Sequence, residues 1–203
     1  MTRKTRSIAP LLALSAAFAI ALAGGGCTKI TPPEYNDPLL PQTSEKNVLN
    51  NLQVAWRMKR IDVYCALLAD DYQFYFDEDT RTRQGLPVFW TRLDDSTGTG
   101  GLFASVYTRG ITITLTGITD PPVHVDQIGR ETWTKVDVLH TNLEVEIDPN
   151  PKNAEGVTYR VTNSLQKFFF RKGRNAADTD TLTSATAKLY YIVEWDDMGL
   201  SGS

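Results

Sequence analysis

The chain has 203 residues, a formal net charge of −3 and 41% hydrophobic residues. This composition excludes a wholly disordered chain, and without a concentration of basic charge we expect no nucleic-acid partner. The first 26 residues contain three basic and no acidic side chains, so the remaining 177 carry a formal charge of −6. They suffice for one domain with a sizeable core.

The first 26 residues have the layout of a bacterial secretion signal. Arg3, Lys4 and Arg6 form a basic start, and residues 11–23 contain no charged side chain. A signal peptide needs an apolar segment of roughly 7–15 residues, whereas a membrane span needs about 20, so a cleaved leader is predicted. The small residues that precede Cys27 resemble a bacterial lipobox. That resemblance implies a lipid on Cys27, which would anchor the protein at a membrane of the cell envelope, on its periplasmic or extracellular face.

Cleavage after Ala23, at a small-x-small site, is the alternative and would release a soluble secreted protein. Cys65, the other cysteine of the sequence, lies in an apolar run and is interpreted as a small buried residue, so no disulfide framework is expected. Four prolines in residues 28–43 favour an extended spacer. The predicted organisation is a signal peptide over 1–26, Cys27 and a Pro-rich tether over 27–43, and one domain over 44–203.

The domain begins with predicted helices. Ser44 is a suitable N-cap, and apolar residues at helical spacing follow as far as Trp56. Asp62 is predicted to cap a second, shorter helix.

A strand and a third helix are predicted next. Residues 72–76 are rich in aromatic side chains and predict a strand, which an acidic turn at 77–79 closes. Pro87 is predicted to begin a helix that continues through Leu93. Residues 96–101 are predicted to form a flexible Gly/Thr/Ser loop with no clear helix after it.

The rest of the chain has the pattern of strands. Ile111, Ile113 and Leu115 alternate with threonines, which predicts a strand with one buried face. Helices first and strands afterwards predict an α+β fold with helices on an antiparallel sheet. Further strands are predicted at 123–128, 131–139, 143–147, 158–171 and 185–195.

This order of elements resembles the nuclear-transport-factor-2-like superfamily, whose fold is the cystatin-like α+β cone. The resemblance rests on residues 47–76, which carry the two helices and the first strand, and on the final strand at 190–197; it covers about Ser44 to Asp197. It implies N-terminal helices packed on a strongly curved, mainly antiparallel sheet. The superfamily includes ketosteroid isomerases, polyketide cyclases and dehydratases, and also domains with no known activity.

A cone of this kind leaves a cavity that is typical of small-ligand sites. Aromatic side chains would form its apolar wall; the alternative is that the same rings only fill the core. The predicted pocket lining is Trp56, Tyr72, Phe74, Phe76, Phe89, Trp90 and Trp133.

The resemblance also allows a comparison with the isomerases. It places Phe76 at the position of their carboxylate base and Leu52 at that of their tyrosine donor, and neither side chain can take that role. Isomerase chemistry is therefore not expected, and no catalytic residue is assigned. Dehydratase-like members use a histidine with a carboxylate, so Asp71, or His124 with Asp126, remain candidates for an enzyme of that kind.

No metal or cofactor is predicted. The acidic residues 77–79 run into Arg81, and the histidines and cysteines have no zinc spacing. The sequence favours a non-enzymatic, lipid-anchored envelope domain that binds a small apolar ligand or a protein partner. A polyketide-cyclase or dehydratase-like enzyme is one alternative. A structural domain that forms a homodimer through its outer sheet face is the other.

Overall fold

A computed structural model describes residues 6–7, 38–149, 155–176 and 189–200. Most of the predicted leader, the lipidation candidate Cys27 and the first part of the tether lie outside the described residues. The end of the tether is attached to the domain. The backbone N–H of Leu40 donates to Asn51 over 2.8 Å, and the Asn51 amide donates back to the Leu40 carbonyl over 2.7 Å.

Helices and strands alternate in the first half of the domain, and long strands make up the second. The described helices are α1 (Glu45–Arg57), α2 (Ile61–Leu67), α3 (Glu78–Gln84) and α4 (Arg92–Ala104). The described strands are β1 (Arg6–Ser7), β2 (Leu68–Tyr75), β3 (Phe89–Thr91), β4 (Thr108–Ile118), β5 (Val123–His124), β6 (Trp133–Ile147), β7 (Val157–Lys172) and β8 (Tyr190–Leu200).

One curved sheet contains all of these strands. Its main order is β3-β2-β8-β7-β6-β4, while β1 pairs with β7 and β5 with β6. The β2–β8 and β1–β7 pairs are parallel and the other pairs antiparallel. The helices cover one face of this sheet, so the predicted class, N-terminal helices on a strongly curved and mainly antiparallel sheet, is confirmed.

Helix α1 forms where the sequence predicts it. The Ser44 side chain accepts a hydrogen bond from the backbone N–H of Asn47, which caps the helix. The apolar stripe of the helix is buried and faces the sheet, with Leu52 0% and Trp56 2% exposed. The predicted cap of the second helix is wrong, because Asp62 lies inside the first turn of α2 and pairs with Arg60, the N-cap residue.

The predicted third helix, from Pro87 to Leu93, is also wrong. Phe89–Thr91 instead forms strand β3 and pairs with β2, so its backbone is hydrogen-bonded to the neighbouring strand. The acidic segment expected to be a turn instead begins α3, because the Asp77 carboxylate accepts from the backbone N–H of Thr80 over 3.0 Å. Gly85 ends this helix in the left-handed region, at φ 63°.

The loop predicted at 96–101 lies within α4. Glycines weaken a helix by about 1 kcal/mol each relative to alanine, but tertiary contacts stabilise this one. Thr91 and Asp94 form a capping box at its start. Gly100 faces α2, where an added Cβ would make an ordinary contact with Ile61 Cγ1 at 3.5 Å.

The predicted strands are found with altered ends. β4 buries Ile111 and Ile113 while the intervening Thr112 is exposed, as its alternation predicts. The strand predicted at 123–128 is limited to β5. The two predicted at 131–139 and 143–147 are joined in the single strand β6, and β8 begins at Tyr190. Residues 177–188 lie outside the described part.

Adjacent residues of β7 divide the apolar side chains between the two faces of the sheet. Phe168 and Phe170 lie in the main core under the helices, whereas Phe169 lies in a small cluster on the opposite, outer face with Val193 and Trp133. Within the ranges described above, no helix has the length and apolarity needed to cross a membrane.

Candidate functional site

An open recess of about 500 Å³ lies where β2 ends beside the second half of β8. The two strands are parallel neighbours with Tyr75 opposite Asp196, so the residues that follow β2 lie close to the part of β8 around Asp196. We call it the β2–β8 recess. It is lined by Tyr75, Phe76, Asp77, Glu78, Arg130, Glu194, Asp196, Asp197 and Met198.

The lining of the β2–β8 recess contains five carboxylates and one guanidinium, so it favours a cation. Two of the carboxylates are engaged at the start of α3. Asp77 caps that helix, and Glu78 accepts from Arg81 Nε over 3.0 Å. Their charge contributes to the field of the recess, but Asp77 Oδ2 and both carboxylate oxygens of Glu78 already have donors.

Two more carboxylates of the recess are held on β8. Glu194 accepts two hydrogen bonds from Arg130, of 2.9 and 2.8 Å. Asp197 Oδ1 accepts from the Gln166 amide over 2.8 Å and from the backbone N–H of Gly199 over 3.1 Å. Burial raises the pKa of Asp197 above its ordinary value.

Asp196 differs from the other four. Its Oδ1 atom is buried and has no hydrogen-bond donor among the residues that the structure describes. Burial and the nearby charge of Glu194 raise the pKa of Asp196 to about 6, against the opposing charge of Lys167. Asp196 is thus the carboxylate of the β2–β8 recess that the described residues leave with an unpartnered oxygen, and a ligand that brought an N–H donor and a positive charge into the recess would stabilise its ionised form.

A second group of interest, the Asp95 cluster, lies inside the protein and consists of Tyr64, Tyr72, Asp95 and Thr99. Each member is at most 1% exposed. The Tyr64 hydroxyl donates to Asp95 Oδ2, and Thr99 Oγ1 donates to Asp95 Oδ1 over 3.4 Å. Burial raises the pKa of Asp95 to about 6 and the pKa values of both tyrosines well above their ordinary range. These side chains join α2, β2 and α4 and have no contact with solvent, so the cluster is structural.

A second recess, of about 450 Å³, lies beside β3 and the start of α4. Its two carboxylates belong to ion pairs. Arg171 makes two hydrogen bonds of 2.9 Å to Asp71, and Arg174 Nε donates to Asp70 over 3.0 Å. The enzyme candidate Asp71 is thus already neutralised by a buried guanidinium.

The seven aromatic residues of the predicted pocket do not share one space. Phe89 lies on the sheet edge, with its ring centroid 5.6 Å from that of Tyr75, and Trp133 belongs to the outer-face cluster. Phe76 alone among the seven lines the β2–β8 recess. Five pack together in the main core, each at most 8% exposed: Trp56, Tyr72, Phe74, Phe76 and Trp90.

The other candidates from the sequence are dispersed. His124 ends β5 and is exposed, as is Asp126 beyond the strand end, and His140 is exposed on β6. Leu52, at the position of the isomerase tyrosine, lies in the core. In the described part of the chain, no three or more His, Cys, Asp or Glu side chains are grouped so that they could hold a metal ion.

Sequence reasoning missed Glu194, Asp196 and Arg130. A signal for the first two was present, because carboxylates at positions i and i+2 of a strand share one face. Arg130 lies between predicted strands, and nothing in the pattern connects it with β8, 64 positions along the chain.

No family model matches the chain, and no curated protein matches its sequence. Solved structures do resemble its fold. A protein from Kribbella flavida matches with 10% identity and a TM-score of 0.53, over 76% of this chain and 86% of that one. A conserved protein from Planctomyces limnophilus matches with 11% identity and a TM-score of 0.50, over 76% and 92%.

A further solved structure, a nuclear transport factor 2-like superfamily protein from Salmonella enterica, matches with 11% identity and a TM-score of 0.49. It covers 77% of this chain and 88% of that one. At these identities the likeness of the first two structures concerns the fold alone.

Proposed function

We propose that this chain is a cell-envelope protein, attached to a membrane by a lipid on Cys27, and that its β2–β8 recess binds a small ligand with a cationic group. The observation that carries the binding role is the buried Oδ1 atom of Asp196, which has no donor among the described residues and belongs to a recess of about 500 Å³. A binding role needs no catalytic group, and none is assigned here.

The chemistry of the recess supports a cation with a flat or apolar part. Four other carboxylates add negative potential around Asp196, while Phe76, Met198 and the ring of Tyr75 supply apolar surface. The sequence favours an apolar ligand in the centre of the cone, but five aromatic side chains pack against one another there. The recess is open to solvent and is therefore the better candidate.

Calorimetric titration of the purified protein at pH 7.5 tests the binding role. The probes are phenethylamine, 2-phenylethanol and 3-phenylpropionate, which share a phenyl group and differ in charge. We expect the amine alone to bind. Asp196→Asn should weaken binding at least about tenfold, because a hydrogen bond to a charged group contributes about 1.5–3 kcal/mol.

Asp126→Asn is the matched control, since this exposed aspartate is not among the lining residues. It should leave the affinity unchanged. Equal binding of all three probes by the wild-type protein, or an Asp196→Asn variant with wild-type affinity, would contradict a cation site in the recess.

The anchor has a separate test. Mass spectrometry of the mature protein should find a lipid-modified Cys27 as its first residue, and the protein should fractionate with membranes. Cys27→Ser should move it to the soluble fraction. An unmodified mature protein that begins at Gly24 would overturn the anchor and favour secretion, while the binding role would still stand.

A further inference from the structure

One side chain of the β2–β8 recess already makes the contacts of a bound cation. The guanidinium of Arg130 donates two hydrogen bonds to Glu194, and its Cζ atom lies 4.6 Å from the centre of the Trp133 ring. It also lies 5.7 Å from the centre of the Phe169 ring. Proteins recognise a guanidinium with a carboxylate that accepts two of its N–H groups and with aromatic rings that lie against its face.

The groups that hold this guanidinium belong to the sheet, whereas Arg130 does not. Glu194, Trp133 and Phe169 come from β8, β6 and β7. We call these three side chains the guanidinium slot. Ladder hydrogen bonds between the three strands fix the positions of its walls.

Arg130 itself comes from the connection between β5 and β6. β5 has two residues, and the tip of the connection is exposed, with the Ile128 side chain 97% accessible. Gly129, next to Arg130, has φ 81°, a conformation that few other residues adopt. The backbone of Arg130 is hydrogen-bonded to Gln127 over 2.9 Å and to Trp133 over 2.8 Å, so departure of the occupant would move the Arg130 side chain alone and leave the walls of the slot in place.

The burial of Glu194 favours exchange of the Arg130 guanidinium for another guanidinium. This carboxylate is 5% exposed, and leaving it without a partner would strongly destabilise the folded protein. A ligand guanidinium that replaced Arg130 would restore both hydrogen bonds and both ring contacts. An ammonium would restore less, because it is a compact point charge without a planar pair of donors.

We propose that the guanidinium slot is a recognition site for ligands that carry a guanidinium group, and that Arg130 occupies it until such a ligand displaces it. This rests on the proposed function, because Glu194 lines the same recess as Asp196, and it names a guanidinium as the cation that the Glu194 side of the recess takes. The arginine acts as an internal competitor, so the apparent affinity of the wild-type protein equals the intrinsic affinity reduced by the fraction of molecules with an open slot.

The first measurement compares the wild-type protein with Arg130→Ala, with methylguanidine and methylamine as the probes. We expect Arg130→Ala to bind methylguanidine at least about tenfold more tightly than the wild type and to prefer it to methylamine. Adding Glu194→Gln to this variant should abolish binding. Equal affinity of the wild type and Arg130→Ala, or equal binding of the two probes by the variant, overturns the proposal.

The second measurement distinguishes displacement of Arg130 in the wild-type protein from binding in the space that Arg130→Ala leaves empty. Methylguanidine should produce a saturable change in the tryptophan fluorescence of the wild-type protein, because Arg130 leaves the face of Trp133. The change should disappear in Trp133→Phe, which retains the other three tryptophans. Binding to Arg130→Ala with no saturable change in the wild type would make Arg130 a permanent structural partner and overturn displacement.

Arg160→Ala is the matched control. Arg160 pairs with Glu144 over 2.6 Å in an exposed ion pair away from the recess, so its loss should leave every affinity unchanged. If Arg130→Ala does not fold, Arg130→Gln keeps one amide donor for Glu194 and should show a smaller gain in the same direction.

The outcomes also separate this inference from the function on which it rests. If the wild type binds phenethylamine through Asp196 but Arg130→Ala gains no affinity for methylguanidine, the guanidinium slot is wrong and the cation-binding role stands. If neither protein binds any cation, both are wrong.

Discussion

Asp95 and Asp196 share a pKa of about 6 and owe it to opposite surroundings. Asp95 is enclosed completely, and burial raises its pKa although Tyr64 donates a hydrogen bond to it. Asp196 is half-buried at an open recess, and the charge of Glu194 adds to the effect of burial. A raised pKa therefore does not identify a site by itself. Access to solvent, and an unpartnered oxygen on the carboxylate itself, distinguish the two regions, since the unpartnered atom of the Asp95 cluster is the Tyr72 hydroxyl.

The difference predicts separate consequences for the two carboxylates. Every oxygen of Asp95 has a donor inside the protein, so changes there should act on the free energy of unfolding. Asp196 has an oxygen without one, so changes there should act mainly on binding. Three measurements of stability test whether the two carboxylates differ in this way.

The largest effect expected is the pH dependence that Asp95 confers. The folded protein holds the Asp95 proton up to about pH 6, whereas the unfolded chain releases it near 3.8. Its contribution to stability is therefore complete below about pH 4 and is lost as the pH rises through 6. The shift corresponds to about 3 kcal/mol.

Urea unfolding at pH 3.5 and 7.5 of the wild type and of Asp95→Asn measures this contribution. The variant should gain about 3 kcal/mol relative to the wild type between the two pH values, because its amide does not titrate. Carboxylates with lowered pKa values, such as Glu144, affect both proteins alike and cancel in the comparison. A difference between the two proteins that stays constant with pH would show that Asp95 does not titrate as proposed.

The next effect concerns the hydroxyl that donates to Asp95. Tyr64→Phe removes this donor from a fully buried carboxylate and should lower the free energy of unfolding by about 2 kcal/mol at pH 7.5, where Asp95 is ionised. The loss should be about half as large at pH 3.5, where the hydrogen bond joins neutral groups.

Tyr75→Phe is the control for that measurement. Its hydroxyl donates to Gln73 over 2.8 Å at a half-buried position, and its removal should cost less than about 1 kcal/mol. If Tyr64→Phe lowers the free energy of unfolding equally at both pH values, the contact stabilises the protein through packing and not through the charge of Asp95.

The sequence predicts the fold well where one local pattern suffices. The Ser44 cap, the stripe ending at Trp56 and the alternation in β4 are local and strong, and all three are confirmed. The prediction fails at α4, because glycines favour a loop while the hydrogen bond from Tyr64 to Asp95 comes from an element distant in the chain. Tertiary contact overrides propensity there.

The candidate site was less accessible to sequence reasoning. Aromatic residues predict a pocket and a core equally well, and five of the seven lie in the core. The β2–β8 recess depends on two parallel neighbours about 120 residues apart, Tyr75 and Asp196, and on an arginine brought to β8 by a connection between other strands. No periodic pattern in the sequence indicates that these residues lie close together.

The smallest effect on stability, and the sharpest contrast with Asp95, is expected at Asp196. Its pKa is also raised, so ionised Asp196 destabilises the folded protein above about pH 6. Because the side chain is partly exposed, solvent screens most of this cost and leaves about 1 kcal/mol.

Asp196→Asn should therefore raise the free energy of unfolding at pH 7.5 by about 1 kcal/mol while it weakens binding of a cation. At pH 3.5 the free energy of unfolding should change little. The exposed Asp126→Asn should alter neither quantity. A less stable Asp196→Asn protein at pH 7.5 would show that the carboxylate has a structural partner, and the recess would then resemble the Asp95 cluster.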